Sequence, residues 1–423
     1  MKLKLPALAL NTIDIGYRNQ LLGAIDALNK HNNNNIQPEE CLLSPLGTTT
    51  YADMKQSFCY TNYGNYKKFK NEVFLMLDEY LKTHQIPKIF ITVYNPTESS
   101  YPEKNVDTIC RIIKEYYKQN NLGKIFTTVL TSRLHNYRYV DFINTPKYLL
   151  TFYSRIKLLR DKKLRKKTLI TIGTIHKFNL KMVKQKQQEL DKNLLALTNN
   201  KKLHTQISKL NKFIKSNKKI VVCLGGRVAG NEIGFNINYA KYLIEQCQNL
   251  ALNKYQIVIV NGPRTPNDVT DYLYEKTQTI PNIIFHNCKN IAQNDQERTS
   301  WRIYSGAHEE EFSLHKQIGN IYPGILGYDN TLAVHTVDSY ACCETASAGI
   351  PTAISSKGIF IDKNIRIDCI NMKNLMIPKY VVNFDDFVDF ACHMKIEPKH
   401  LSPVVLSNSL KVFAEAITSR ITC

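Results

Sequence analysis

The feature that most constrains the fold is an alternation of short apolar runs with longer segments of helical periodicity. In the first half, the strand-like runs are residues 5–10, 86–94, 124–131, 140–145 and 168–172. In the second half, they are residues 220–224, 255–260, 283–285, 331–336 and 352–354. Runs of this length between amphipathic segments predict βαβ units, and therefore parallel sheets flanked by helices. Because both series begin with a strand, we predict two similar α/β domains in tandem.

A polar stretch without strand signals separates the two series. It spans residues 179–218, with helical periodicity over 179–197 and 204–215. We predict that this basic helical stretch links a first domain, residues 1–178, to a second domain, residues 219–423. The hydrophobic content of 43% is sufficient for two real cores and excludes a disordered chain.

The formal net charge of +20 is concentrated in one segment. Residues 147–219 contain 21 Lys and Arg against three Asp and Glu. Such a segment attracts phosphate groups of nucleic acids or of anionic lipids. Compositional drift toward Lys, Asn and Ile explains it equally well and needs no partner. The sequence contains no recognised nucleic-acid module, so nucleic acid is disfavoured and we predict docking on an anionic membrane.

The cysteine pattern and the length of the apolar stretches indicate the cellular compartment. The eleven cysteines lack C-x-x-C spacing, which argues against a zinc site and against a disulfide framework. No stretch approaches the roughly 18 apolar residues of a membrane span. We therefore predict a cytoplasmic protein, peripheral on the inner face of a membrane, with no metal and no cofactor.

One strand–turn–helix unit carries most of the candidate chemistry. After the strand at 331–336, Asp338 or Ser339 would cap a helix, and Gly349 would end it with a positive φ. Glu344 falls in the second turn of that helix. In parallel sheets this carboxyl edge is where ligands bind. Two interpretations are open: Asp338 merely caps the helix and Glu344 faces water, or these groups contact a ligand.

Two further loops are expected at the same edge. Gly225 and Gly226 follow the first strand of the second series, and their backbone N–H groups could approach a phosphate. Arg264 follows the next strand and could pair with a phosphate. Thr265 is predicted to cap the following helix, with Asp268 completing a capping box. The sequence has no P-loop, and its dinucleotide-binding pattern is incomplete.

Several segments, taken in order, resemble one known family. In the second half these are L-G-G at 224–226, P-R-T-P at 263–266, N-I-Y-P at 320–323 and T-V-D-S-Y-A-C-C-E-T-A-S-A-G-I-P at 336–351. In the first half, residues 16–23 look like an opening G-x-x-N-Q-x-x-G, and residues 172–179 look like a G-A-x-H-x-x-T turn. Together they are similar to the mitochondrial-fission Elm-type family. The resemblance covers the chain from residue 10 to about residue 355.

The resemblance implies two Rossmann-like domains in the GT-B arrangement, with glycosyltransferase activity. The second domain would hold a nucleotide-sugar donor, through Gly225, Gly226, Arg264, Asp338, Ser339 and Glu344. Asn19 and Gln20 would lie on the acceptor side. Asp14 is the candidate general base, although capping its own turn is the alternative role for this residue. Such enzymes stabilise the leaving diphosphate with backbone amides and basic side chains, without a metal.

The first half departs from the family pattern more than the second. Residues 146–149 read P-K-Y-L where the family has P-x-H-D, and Pro263 stands where it has an arginine. We therefore predict a metal-independent glycosyltransferase acting on a lipid-linked or envelope saccharide. The alternative is a catalytically inactive GT-B-like scaffold that binds nucleotide or membrane. Binding of nucleic acid through the basic segment ranks third.

Overall fold

The computed structural model describes most of the chain as two compact units. The described residues are 6–10, 15–32, 42–43, 63–93, 102–131, 133–135, 137–197, 199–201, 203–225, 236–262, 265–287, 318, 321–336, 339–355 and 404–422. The first unit contains the described residues up to Lys177 together with the C-terminal helix. The second unit contains those from Phe178 to residue 355. Asp14, Gly226, Arg264 and Asp338 lie outside the described residues.

Each unit is built on one parallel sheet. The strands of the first sheet are β1 Ala7–Leu10, β2 Leu42–Leu43, β3 Ile89–Val93, β4 Phe126–Leu130, β5 Phe142–Pro146 and β6 Thr168–Thr171. Those of the second are β7 Lys219–Leu224, β8 Gln256–Val260, β9 Ile283–His286, β10 Thr331–Thr336 and β11 Thr352–Ser355. The strand orders are β2-β1-β3-β4-β5-β6 and β11-β10-β7-β8-β9, with every pair parallel.

Helices cover both sheets, which confirms the predicted class of two Rossmann-like domains. The first unit has α1 Ile15–Asn32, α2 Tyr63–Leu81, α3 Pro102–Gln119, a 3₁₀ turn at Lys147–Leu149, α4 Phe152–Arg160 and α5 Lys162–Lys167. The second has α6 Leu180–Ala196, α7 His204–Lys215, α8 Ile237–Leu252, α9 Asn267–Gln278, α10 Tyr322–Ile325 and α11 Ser339–Ser347. Helix α12, Val404–Thr422, returns to the first unit.

The second sheet is covered on both faces, which is why its strands read as continuous apolar runs. All six residues of β7 are buried, and so are all six of β10. Alternate residues of β7 point into different cores. Ile220 and Val222 pack in the core that includes α8 and α9, whereas Val221 and Cys223 pack in the core that includes α6 and α7.

The observed units differ from the predicted domains in the basic helical stretch. Helices α6 and α7 have apolar stripes at helical spacing, and both stripes are buried in the core of the second unit: Val183, Leu190 and Leu194, then Ile207, Leu210 and Phe213. Burial of these stripes makes the two helices part of the second unit instead of a separate linker.

The C-terminal helix is the second difference. Phe413, Ala414 and Ile417 of α12 are fully buried. The ring of Phe413 lies 6.2 Å from that of Phe142 on β5, and the Arg420 guanidinium lies 4.8 Å from the same Phe142 ring. These contacts place the end of the chain in the first unit and not with residues 219–355. None of the helices in the described ranges is long and apolar enough to cross a membrane.

In the first unit, a close approach brings two of the resembling segments together. A Cβ on Gly23 of α1 would lie 2.3 Å from the carbonyl carbon of His176, which no real side chain could do. Next to it, the Lys177 N–H donates to the carbonyl of Asn19 at 3.0 Å. The glycine of the opening motif is therefore needed for contact with the turn at 172–179.

Candidate functional site

The second sheet has a point where its strand order reverses. From β7 the chain proceeds outward through β8 and β9, and it then crosses to β10 on the other side of β7. β7 and β10 pair along their whole length, with Thr336 opposite Leu224 at their carboxyl ends. In doubly wound sheets, the crevice outside the carboxyl ends at this reversal is the usual ligand-binding position.

Hydrogen bonds hold the carboxyl ends of β7 and β10 together. The N–H of Gly225 donates both to the carbonyl oxygen of Thr336, at 3.1 Å, and to its Oγ1, at 2.9 Å. Thr336 is fully buried. Gly225 therefore lies at the predicted edge, where its amide bonds to the neighbouring strand.

The loop after β8 is fastened to the same point by Thr265. Its Oγ1 donates to the carbonyl oxygen of Gly225 at 2.8 Å and accepts from the N–H of Gly262 at 3.0 Å. The predicted capping role of Thr265 is wrong, because α9 begins at Asn267 after Pro266 and has no side-chain cap bond. The hydroxyl joins two loops of the edge, so that the ends of β7, β8 and β10 form one bonded group.

Helix α11 leaves this edge from β10 and carries Glu344. The helix begins at Ser339 and is followed by Gly349, whose φ of 82° confirms the predicted left-handed residue. Only 8% of the Glu344 surface is exposed, so the interpretation that this residue faces water is wrong. A carboxylate is rarely buried unless polar groups surround it. Glu344 is thus a predicted donor-site residue whose side chain is buried on α11.

A buried hydroxyl fixes the rotation of α11. Thr345 Oγ1 lies 2.9 Å from His335 Nε2 on β10 and accepts from Thr352 Oγ1 on β11 at 3.0 Å. All three side chains are fully buried. Neither Thr345 nor Thr352 was predicted at the site. Their only signal in the sequence is a threonine within a small apolar run, which does not reveal partners on other strands.

Tyr239 is another residue at this edge that the sequence did not indicate. It lies in the first turn of α8 and is almost completely buried. Burial raises the pKa of Tyr239 far above its usual range, and hydrogen bonding to Thr336 acts in the opposite direction. The phenol is therefore neutral at all physiological pH values and can act only as a hydrogen-bonding group.

The carboxyl edge of the first sheet contains a buried polar network that includes Gln20. The amide oxygen of Gln20 accepts from Thr131 Oγ1. The N–H of Thr131 donates to Asn144 Oδ1 at 3.4 Å, and Asn144 Nδ2 donates to Thr171 Oγ1 at 3.1 Å. Thr171 then donates to the carbonyl of Gly173 at 2.7 Å. Gln20, with 2% of its surface exposed, thus connects α1 to the ends of β4, β5 and β6.

The predicted site residues lie in both units. Asn19 precedes Gln20 on α1 and is partly buried, and its carbonyl bonds to Lys177. Among the residues that the structure describes, no three His, Cys, Asp or Glu side chains lie close enough together to hold a metal ion. The structure brings Gly225, the start of α11 and Glu344 to one edge of the second unit, and Asn19 and Gln20 to one helix of the first.

The comparisons with known proteins identify the fold. No protein-family model matches the chain and no curated protein matches it, so the Elm-type resemblance gains no support from them. Among solved structures, the N-terminal domain of Candida albicans trehalose-6-phosphate phosphatase is similar, with a TM-score of 0.50 at 9% identity over 100% of this chain and 97% of the other.

Two further solved structures are similar over nearly their whole length. UDP-GlcNAc 2-epimerase from Neisseria meningitidis, bound to UDP-GlcNAc, has a TM-score of 0.49 at 10% identity, over 99% of this chain and 100% of the other. The α,α-trehalose 6-phosphate synthase of Burkholderia multivorans has a TM-score of 0.48 at 7% identity, over 99% and 98%. At such low identities, these likenesses concern the fold alone.

Proposed function

We propose that this chain is a glycosyltransferase whose second unit holds a nucleotide-sugar donor at the carboxyl edge of its sheet. The acceptor would be a lipid-linked or envelope saccharide, and the transfer would need no metal. The observation that supports this most is the set of hydrogen bonds that joins the carboxyl ends of the strands where the strand order reverses. There, Thr336, Gly225 and Thr265 hold the ends of three strands together, and the helix leaving that edge carries the buried Glu344.

The diphosphate of the donor would lie against the start of α11. The first N–H groups of a helix have no partner within the helix, and the helix dipole is positive there. This favours an anion beside Ser339, the first residue of the helix. Arg264 directly precedes Thr265, whose hydroxyl is fixed to Gly225, and it would add a charge-assisted bond to the same group. These contacts would stabilise the leaving diphosphate as the sugar departs.

Glu344 would bind the ribose. A carboxylate accepts hydrogen bonds from both hydroxyls of a ribose diol, as acidic residues do in dinucleotide-binding folds. Because Glu344 is 8% exposed, such bonds would be little weakened by water. The bonds of Thr345 to His335 and Thr352 hold the next residue of the helix in place and so orient Glu344.

The transfer itself would need a base on the acceptor side. In an inverting transfer, an acceptor hydroxyl attacks the anomeric carbon while the bond from that carbon to the diphosphate breaks, and the hydroxyl proton passes to a base. Asp14 is our candidate for this base. In the sequence it falls between the end of β1 and the start of α1.

A nucleotide-binding scaffold without transferase activity is the second candidate. It is favoured by Gln20, which resembles an acceptor-side residue in sequence but bonds to Thr131 within the buried network. Such a protein would keep the donor edge of the second unit and lack turnover.

Calorimetry with UDP, GDP, CMP and ADP, and with their common sugars, tests the donor site. We expect one nucleotide to bind, and Glu344→Ala to weaken its binding by about 1.5–3 kcal/mol, tenfold or more, because the ribose loses a charged partner. Glu245→Ala, at an exposed position of α8, is the matched control and should leave the affinity unchanged. Glu344→Gln tests whether the charge itself is needed.

The outcomes separate the two candidates. Absence of binding at millimolar nucleotide would contradict the donor site, and with it both candidates. Binding that depends on Glu344, combined with release of nucleoside diphosphate from the sugar donor, supports the glycosyltransferase. The same binding without any release over long incubation with candidate acceptors supports the scaffold.

A further inference from the structure

The structure divides the basic segment at 147–219 into two parts with different environments. The lysines of α6 and α7 lie on helices whose apolar stripes are buried in the second unit. Helix α4, in the first unit, differs in that it exposes three large apolar side chains close together, with basic side chains on α4 and α5 beside them. We call residues 151–167 the α4–α5 patch.

The apolar side chains of α4 face outward. Phe152, Tyr153 and Leu159 are 73%, 82% and 73% exposed. Phe152, Ile156 and Leu159 are spaced as i, i+4 and i+7, so they share one face of the helix. Leu158, on the other side, is buried in the core of the first unit. This helix therefore turns its larger apolar face to the solvent and attaches to the protein through the smaller one.

The orientation of the stripe is fixed by helix caps. Thr151 Oγ1 accepts from the N–H of Ser154 at 3.2 Å, and Asp161 Oδ1 accepts from the N–H of Leu164 at 2.9 Å. Leu164 is buried and anchors α5 in the same core as Leu158. Because both helices are capped and anchored, the exposed stripe is a property of the folded unit.

Basic side chains surround this stripe. The α4–α5 patch contains eight Lys and Arg and a single acidic residue, Asp161, whose carboxylate is used as a cap. The exposed ones are Arg155, Arg160, Lys162, Lys163, Arg165 and Lys166. Near an anionic membrane surface, each Lys or Arg strengthens binding about fivefold, and apolar side chains that enter the interface add to this.

We infer that the α4–α5 patch docks the first unit on an anionic lipid surface. A helix with an apolar face and flanking cations lies in the plane of a membrane interface, with the apolar face in the boundary between headgroups and acyl chains. Nucleic acid would use the cations and stack on the aromatic rings, but it offers nothing to Leu159 or Ile156. The docking site lies in the first unit, so this inference does not depend on the donor site in the second.

Vesicle co-sedimentation tests this inference with the full chain and without nucleotide. We expect wild-type protein to bind phosphatidylcholine vesicles that contain roughly a third of phosphatidylglycerol, and not vesicles of phosphatidylcholine alone. The combined change Phe152→Ser, Tyr153→Ser and Leu159→Ser should weaken binding tenfold or more. The combined change Arg155→Gln, Arg160→Gln and Lys163→Gln should weaken it roughly a hundredfold.

Matched controls come from the second unit. Leu195 and Leu252 are 75% and 82% exposed, and they sit apart on α6 and α8. The double change Leu195→Ser and Leu252→Ser should leave vesicle binding within about twofold of wild type, and so should Lys186→Gln with Lys192→Gln. All these positions are solvent-accessible, and a thermal melt verifies that each variant remains folded.

Three results would overturn the inference. The first is wild-type protein that stays in the supernatant with both kinds of vesicle. The second is an equal loss of binding in the patch variants and in their controls, which would indicate attraction by net charge alone. The third is steeply salt-dependent binding to RNA or duplex DNA with no binding to anionic vesicles, which would assign the patch to nucleic acid.

Discussion

The carboxyl edges of the two sheets both contain buried polar side chains. In the first sheet these bond mainly to other side chains, and in the second they bond to the backbone. In the first unit, Gln20, Thr131, Asn144 and Thr171 are joined mainly through their side chains. In the second unit, the hydroxyls of Thr336 and Thr265 bond to the backbone around Gly225.

The difference indicates what each edge can do. Side chains that bond to one another connect α1 to three strands and form part of the framework of the first unit. Hydroxyls that bond to the backbone fasten the loops, and the groups that contact a ligand can then come from the adjacent helix, as with Glu344 on α11. Two segments can therefore resemble the same family and still differ in their surroundings, since Gln20 bonds within the buried network and Glu344 is our candidate ligand group.

Among the substitutions that test this difference between the two edges, a change at Asn144 should have the largest effect. Asn144→Leu keeps the branched shape and the number of heavy atoms, but it leaves the Thr131 N–H without an acceptor and removes a donor to Thr171, so the first unit should lose about 3 kcal/mol of stability. Hydrogen exchange of the β5 and β6 amides measures this loss locally. Asn120→Leu, at the exposed end of the first unit's α3 region, is the control with a small effect.

Nucleotide affinity should not change in Asn144→Leu below its unfolding temperature, because the donor edge belongs to the other unit. A parallel loss of nucleotide affinity would show that the two edges are coupled and would contradict their separate roles.

A smaller but more specific effect is expected at Thr265. Thr265→Val removes the bonds to the Gly225 carbonyl and the Gly262 N–H, and should cost about 1–2 kcal/mol of stability. It should also lower nucleotide affinity several-fold, because the loop after β8 is no longer held to Gly225. Thr265→Ser should restore both. Thermal unfolding and calorimetry measure the two quantities separately.

Thr270→Val is the control for Thr265→Val. Thr270 is also buried, and its hydroxyl donates to the carbonyl of Pro266, which directly precedes the same helix, so its loss should lower stability without changing affinity. Equal affinity losses in the two variants would mean that the edge is no more than ordinary packing.

The smallest effect is expected at Glu115, a charged side chain away from the carboxyl edges of both sheets. Burial acts to raise the pKa of Glu115, but hydrogen bonds from Lys70, at 2.9 Å, and Arg111, at 2.7 Å, outweigh it and lower the pKa. A lowered pKa in the folded state means that this stabilisation is complete above the unfolded-state pKa and is lost as the pH falls through the folded-state pKa.

Glu115→Gln should therefore lower the free energy of unfolding by about 0.5 kcal/mol at neutral pH. The effect is small because the solvent screens this partly exposed group. The substitution should also make acid unfolding of the first unit less steep. Glu79→Gln, in the exposed pair with Lys82, is the control and should leave the acid transition in place. An unchanged acid transition in Glu115→Gln would contradict the assignment. Fluorescence-monitored unfolding over the acid range measures both variants.

The fold class and every described strand except β2 could be predicted from the sequence, because parallel strands are buried and therefore apolar on both faces. The predicted runs at 331–336 and 204–215 match β10 and α7 residue for residue, and Gly349 has the predicted positive φ. Helices α4 and α5 were not predicted. Both are short, and the apolar stripe of α4 faces the solvent, whereas an apolar stripe at helical spacing normally marks the buried face.

The local pattern of residues is thus enough to predict ten of the eleven described strands, the two series of βαβ units and the loops at the strand ends. It does not predict that α6 and α7 pack on the second sheet, that α12 returns to the first unit, or that Thr265 bonds to Gly225. The physical reason is that periodicity reports which side of an element is buried, whereas its partner depends on contacts between residues far apart in the chain. Such contacts, like that of Gln20 with Thr131 across 111 residues, have no local signature.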